Sequence, residues 1–370
     1  MRDLLSLDDL LLPAQVAPAG TISGVIKERP EDFRVDELSA SEPSGTGDQL
    51  LVRLEKRAMT TDDLVAHVAT VLGIDRRDIG VAGLKDKQAV TTQWFSLPIS
   101  AEDTIEAIET DLVRVLESAR HDTKLKRGAS GGNRFDILIR GTPSSELGRA
   151  QAIADHINDE GLPNAYGAQR FGHDGSTFEM GLDILAGNEA SALARVGRHR
   201  HRFMKRLALN AVQSGLFNLW LRQRVDDGLL GQILTGDVLE DLKLRVPIIA
   251  MDLPRETLRY EQGVVMLTGP MFGIKMRGGS GPAGRREKAV LERAKLGLDA
   301  FASFRKVMPG ARRAARVRPE DLEISPDSAG LRLSFVMPPG AYATEVIRTF
   351  VGDPRGDAEE WSSGSEPDIS

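Results

Sequence analysis

Two periodicities share this chain, and their order constrains the fold more than any other feature. Near both ends, apolar and polar residues alternate with the period of a strand; between those segments, apolar residues recur at helical spacing. Residues 21–37 (TISGVIKERPEDFRVDE) alternate on both sides of Arg29-Pro30 and predict two short strands with a turn. Residues 49–55 (QLLVRLE) and 135–140 (FDILIR) predict strands, residues 78–97 predict two strands around a loop, and residues 331–337 (LRLSFVM) return to the pattern. One early helix, residues 60–72, has Thr60 or Thr61 as its cap and Asp62 and Asp63 in its first turn, where the helix dipole favours acids. Helical spacing governs residues 144–158, 198–225 and 290–302, and the glycine-rich residues 277–285 (RGGSGPAGR) read as a flexible loop. The expectation is an α/β protein of α+β type: a helix-rich domain, residues 161–318, inserted into a sheet domain made of residues 1–160 and 319–351. A length of 370 residues suits two domains.

Composition removes several function classes. There is no cysteine, hence no disulfide framework, thiolate nucleophile or cysteine metal site. The leucine-rich start (MRDLLSLDDLLLPAQ) is broken by Asp8 and Asp9, too short and too charged for a signal peptide or membrane span, so a cytoplasmic protein is expected. The net charge of −6 argues against a polyanionic partner until its distribution is followed. Residues 352–370, expected to form a disordered acidic tail, carry six acids against Arg355 alone. The near-neutral remainder holds three runs free of acids: residues 124–134, residues 195–206 (RVGRHRHRFMKR) and residues 305–318 (RKVMPGARRAARVR). Any one run reads as a solvated face. Gathered on one surface, they would attract nucleic-acid phosphates.

The stretch at residues 81–98 (VAGLKDKQAVTTQWFSLP) places Asp86 between Lys85 and Lys87. Glycine and aspartate favour turns and lysines keep a loop soluble, so alone it reads as a turn. The same residues also carry chemistry: cations hold a carboxylate ionised, and the anion serves as nucleophile or base without metal or cofactor. The chain has neither a P-loop nor a Gly-x-Gly-x-x-Gly fingerprint, and His199 and His201 lack an acidic partner in sequence, so no cofactor and no metal are expected.

Residues 82–96 (AGLKDKQAVTTQWFS) closely resemble the signature of the tRNA pseudouridine synthase D family, whose catalytic aspartate falls on Asp86. Six further segments resemble the family in the same order: residues 27–37 (KERPEDFRVDE), Asn133-Arg134-Phe135, residues 163–172 (PNAYGAQRFG), 208–218 (ALNAVQSGLFN), 268–273 (TGPMFG) and 335–348 (FVMPPGAYATEVIR). The resemblance covers roughly residues 22–350. Seven motifs in order make a specific signal. Departures fall at Ala168, Val212, Gly215 and Thr349, where the family often has glutamate, tyrosine, tyrosine and glutamate.

The resemblance implies the pseudouridine synthase fold, a mixed and largely antiparallel sheet with helices, plus an inserted family-specific domain. It implies isomerisation of uridine to pseudouridine in tRNA, at uridine 13 in the D-arm, on a base extruded from its stack. Asp86 is then the catalytic aspartate, as nucleophile or as base. Phe33 and Tyr342 would stack on the target nucleotide, Asn133 would hydrogen-bond it, and Phe135 and Lys27 would join them in binding the substrate. Lys27, Lys85 or an arginine would pair with Asp86. Arg170, Arg198, Arg200, Arg202, Lys205, Arg312 and Arg313 would hold RNA. The expected partner is tRNA, bound by a monomer without membrane or small-molecule cofactor. The alternatives are a non-catalytic RNA-binding or chaperone module with the same fold and, more remotely, a hydrolase pairing Asp86 with Glu179.

Overall fold

The structure, a computed structural model, describes residues 5–352; the acidic tail expected from the sequence lies outside the described residues, save Gly352. The chain divides into two compact units, one of Gln15–Asp159 with the segment from Arg318, the other of the N-terminal segment to Ala14 with Glu160–Val317.

The first unit is built on one mixed sheet. Its strands run in the order Glu320–Asp327, Gly330–Met337, Ser130–Arg140, Phe33–Ser39, Val90–Pro98, Gln49–Arg57 and Val113–His121, and Gly80–Val81 adds to Val90–Pro98. All neighbours are antiparallel except Phe33–Ser39 and Val90–Pro98, which run parallel with Arg34 opposite Val90. Leu50, Val52 and Leu54 recur with period two and so share a face. With Phe95 and Leu97 they pack against Leu64 and Val68 of the helix Thr61–Leu72 and against Ile105 and Ile108 of the 3-10 segment Ile99–Ile108. Thr60 caps that helix: its hydroxyl accepts from the Asp63 amide at 3.0 Å, and Gly73 closes the far end in the left-handed region at φ 66°.

The second unit centres on the helix His201–Asp226, whose Val212, Leu216, Phe217 and Trp220 are fully or almost fully buried. It crosses the helix Ser176–Leu185 at two glycines. A β-carbon on Gly215 would lie 2.4 Å from the Phe178 ring, and one on Gly181 would lie 2.2 Å from the Ala208 carbonyl oxygen. The departure at Gly215 is thus a packing requirement: a tyrosine there has no room beside Phe178 and Leu10.

Several sequence expectations are corrected. Residues 5–14, assigned to the sheet domain, pack in the helical unit, with Leu10 and Leu12 in its core. The helical unit also holds a four-stranded sheet, in the order Ala311–Ala314, Val265–Met271, Val238–Asp241 and Val246–Ile249. Three of those strands have four residues, too few to show alternation. The expected loop at residues 277–285 ends in the helix Gly281–Arg293, with Pro282 in the first turn, where its missing N–H costs nothing. The expected helix at residues 290–302 breaks at Gly297 into this helix and the 3-10 segment Leu298–Phe304. Of residues 21–37, only Phe33 onward is strand; the earlier half contributes one bridge, Val25 to Arg140, and the 3-10 turn Pro30–Asp32. Among the described residues no helix is long and apolar enough to cross a membrane.

Candidate active site

The strand register brings the site together. Phe33, Val35 and Glu37 point to one face of their strand. Their antiparallel partners are Ile137, Phe135 and Asn133, and the last two lie opposite Phe335 and Met337 on the next strand. Asn133 follows Gly132, which sits at φ 127° where the strand passes a bulge; a β-carbon there would stand 2.6 Å from the Met337 carbonyl oxygen. Residues 82–89 connect Gly80–Val81 to Val90–Pro98, and Asp86 sits in this connection.

The loop is pinned from inside. The Lys85 amide donates to Thr61 Oγ1 at 2.9 Å, and the Thr61 hydroxyl donates to Gln93 Oε1 at 3.0 Å. Gln93 Nε2 donates in turn to the Gly83 carbonyl. The fully buried Lys56 donates to the Asp86 carbonyl at 2.8 Å and to the Met59 carbonyl at 2.5 Å. Burial pushes the Lys56 amine down to about 8; Asp86 opposes that shift, Lys85 adds to it and Asp63 opposes it.

The cation paired with the Asp86 carboxylate is Lys27, Nζ to Oδ2 at 2.9 Å. Lys27 occupies the left-handed region at φ 57°, and its ammonium also lies 4.2 Å from the Phe33 ring centroid. Lys85, the sequence neighbour, turns the other way. It pairs with Glu37 Oε1 at 3.0 Å and donates to Asn133 Oδ1 at 2.5 Å. The second Glu37 oxygen accepts from the Trp94 amide at 2.9 Å.

Lys27, Asp86, Phe33 and Asn133 thus belong to one connected constellation. Phe33 is 4% exposed with Lys27 over its ring, so in this state it supports Lys27 and presents no open stacking face. Phe135, expected at the nucleotide, lies beside it on the same face of the sheet: edge-on to Phe33 at 6.2 Å and stacked on Phe335 at 5.3 Å. Tyr342 sits at the N-cap position of the helix Ala343–Val351, without a side-chain capping bond, five residues past Met337, the strand partner of Asn133. Lys56 and Glu37 were missed in the sequence, although period two marks both. Each is a charge at an inward position of an alternating strand, after Leu50, Val52 and Leu54 in one case and Phe33 and Val35 in the other.

The residues expected to hold RNA in the second unit separate into two sets. Arg198, Arg200 and Arg202 are exposed at the start of the long helix. The other four lie less exposed, against groups of the same unit. Arg312 is ion-paired with Glu287 at 2.7 Å and donates to the Thr268 carbonyl at 2.5 Å, and burial pushes its guanidinium down. Arg313 donates to Asn164 Oδ1 at 2.6 Å and lies 4.1 Å from the Tyr166 ring centroid. Arg170 donates to Ser214 Oγ at 2.9 Å and faces the same ring at 5.3 Å. Lys205 pairs with Glu189 at 2.6 Å and lies over the Phe304 ring. In this structure these four side chains hold parts of the unit together, because a charge that is partly desolvated is kept where it finds partners.

The family model for tRNA pseudouridine synthase D (TruD) matches residues 15–200 and 197–350. A tRNA pseudouridine synthase D of Anaeromyxobacter dehalogenans is 41% identical over 348 residues, covering 94% of this chain and 97% of the relative. That of Thermus thermophilus is 36% identical, covering 88% of each chain. A solved structure from Methanosarcina mazei, of a protein assigned as a tRNA pseudouridine synthase D, superposes with a TM-score of 0.74 at 23% identity over 94% of this chain and 98% of its own, and so shares the fold. The fold and the sequence define one class, and the chain belongs to the tRNA pseudouridine synthase D family.

Proposed function

We propose that this protein isomerises uridine to pseudouridine in tRNA, at uridine 13, with Asp86 as the catalytic aspartate. The C1′–N1 bond breaks, the uracil turns and a C1′–C5 bond forms. C5 loses a proton and N1 gains one, so no atom and no electron is left over and no co-reactant is needed. The observation that carries the reading is the Lys27–Asp86 pair at 2.9 Å on a loop fastened by Lys56 and Thr61. An anionic carboxylate held in place and 36% exposed is what attack at C1′ and abstraction of a sugar proton both require. Asn133 and Tyr342 address the extruded nucleotide, and Arg198, Arg200 and Arg202 hold phosphates. The test is release of tritium from tRNA labelled at uracil C5, with wild type beside Asp86→Asn. Release by wild type alone is expected. Binding without release by either protein would leave a pure RNA-binding module.

A further inference from the structure

We infer that Lys85, anchored by Glu37, locks the Asn133 side-chain amide so that it offers only its N–H₂ to the base, and that this fixed donor selects uracil and holds it through its rotation. The inference rests on the proposed isomerisation for its substrate, but its geometry stands independently. An ammonium has donors and no acceptor. The Asn133 atom 2.5 Å from Lys85 Nζ is therefore the amide oxygen, whichever way the amide would otherwise settle. Lys85 has no freedom to release it: its ammonium is held 3.0 Å from Glu37 Oε1, both side chains are buried, and its own main chain is fastened to Thr61. Glu37 is fixed in turn by the Trp94 amide and by strand pairing directly opposite Asn133. What remains of the half-buried Asn133 is Nδ2, which makes no hydrogen bond among the described residues.

A donor at that place suits the chemistry of this base. Turning uracil so that C5 replaces N1 is a half-turn about the line through N3 and C6. That half-turn exchanges the two carbonyls, at C2 and C4, and returns N3–H to its own position. An amide N–H₂ aimed at either carbonyl therefore meets a carbonyl oxygen before the rotation and another after it. Cytosine breaks the symmetry. Its exocyclic amine replaces one carbonyl, so in one of the two orientations donor faces donor and the half-buried amide is left unmatched. The same lock explains why the two lysines flanking the site divide their work. Lys27 serves the Asp86 carboxylate, and Lys85, adjacent in sequence to Asp86, serves base recognition as a positioning residue.

The experiment places 2-thiouridine or 4-thiouridine at the target position of a tRNA transcript, sulfur being the weaker acceptor. In equilibrium binding, one of the two substitutions weakens the wild-type complex by about three- to tenfold, that of the carbonyl met first. In single-turnover assays both slow the reaction. With Asn133→Ala the thio-to-oxo ratios fall to about one. With Lys85→Met the ratios shrink because the amide turns freely, whereas a merely structural lysine would lower affinity for all transcripts and leave the ratios unchanged. If Lys85→Met does not fold, Glu37→Gln, which weakens the anchor of Lys85 and leaves Asn133 in place, carries the test of the lock, and Asn133→Asp, which keeps the Lys85 contact but has no donor, carries that of the donor. Binding indifferent to both sulfurs overturns the inference whether or not turnover occurs. Turnover slowed by only one overturns the claim that the donor holds the base through rotation. Absence of any turnover on plain uridine, with the binding ratios intact, instead sinks the isomerase reading alone.

Discussion

Lys56 makes the sheet unit less stable at neutral pH than at high pH, and the size of the effect follows from its burial. The amine sits at about 8 in the folded protein against 10.5 when free in water. Each unit corresponds to 1.36 kcal/mol, so holding the charged amine inside costs about 3 kcal/mol. The unfolded chain keeps the proton at higher pH than the folded one, so stability rises with pH across this window. The penalty is present in full below pH 8 and is relieved between pH 8 and about pH 10.5. Lys56→Met removes the titration and leaves the carbonyls of Asp86 and Met59 without this donor. Its offset at pH 7 therefore mixes two effects of opposite sign, and the informative quantity is the slope. Urea unfolding followed at Trp94, in a background where Trp220 and Trp361 are phenylalanine, reports on the sheet unit from pH 7 to 10.5. The wild-type-minus-variant difference should climb by about 3 kcal/mol in favour of the wild type. A flat difference would refute the reasoning, since it would mean that the amine is not desolvated or that its hydrogen bonds compensate in full.

Three further outcomes are expected. Lys27→Met should cut single-turnover rate by roughly ten- to a hundredfold, the worth of a charge-assisted hydrogen bond, with little change in urea midpoint; rate and midpoint on one preparation check this. Replacing Arg198, Arg200 and Arg202 together by alanine should flatten the slope of log affinity for tRNA against log salt by about 2 to 3, because each exposed arginine that leaves a phosphate removes nearly one released counterion. Arg312→Ala should leave that slope unchanged and instead destabilise the helical unit by about 3 to 5 kcal/mol, the cost of stranding the buried Glu287; thermal melts beside the salt titration separate the two.

The contrast among those arginines shows what charge in a sequence can and cannot disclose. Residues 305–318 and 195–206 hold equal numbers of Lys and Arg and no acid, and as strings they are alike. Within both runs the fates of single residues differ, because partners arrive from elsewhere in the chain: Glu287 reaches Arg312, Asn164 reaches Arg313, the carbonyls of Asn158 and Asp159 reach Arg318, and Glu189 reaches Lys205. Arg198, Arg200 and Arg202 lie in or beside a 3-10 turn and the first turn of a helix that leave them exposed. Local pattern reads local structure well, as the strand at Gln49–Arg57 and the cap at Thr60 show. The Asp86 loop was legible too, through ordered motifs over most of the chain.

What escaped was pairing across the sheet. Nothing between positions 37 and 133 in the string says that Glu37 and Asn133 face each other, and without that register Lys85 looks like a second partner for Asp86. Yet the string did carry a physical warning. Glu37 and Lys56 stand where the period-two pattern requires apolar side chains. Isolated charge at an inward position is costly unless something answers it. In both cases the answer is at the site: Lys85 for Glu37, and the Asp86 main chain for Lys56. Broken alternation in a strand is therefore as good a pointer to chemistry in this fold as the motif that contains the aspartate. It also locates the residues that hold the aspartate and the amide still, which a motif centred on the reacting group does not identify.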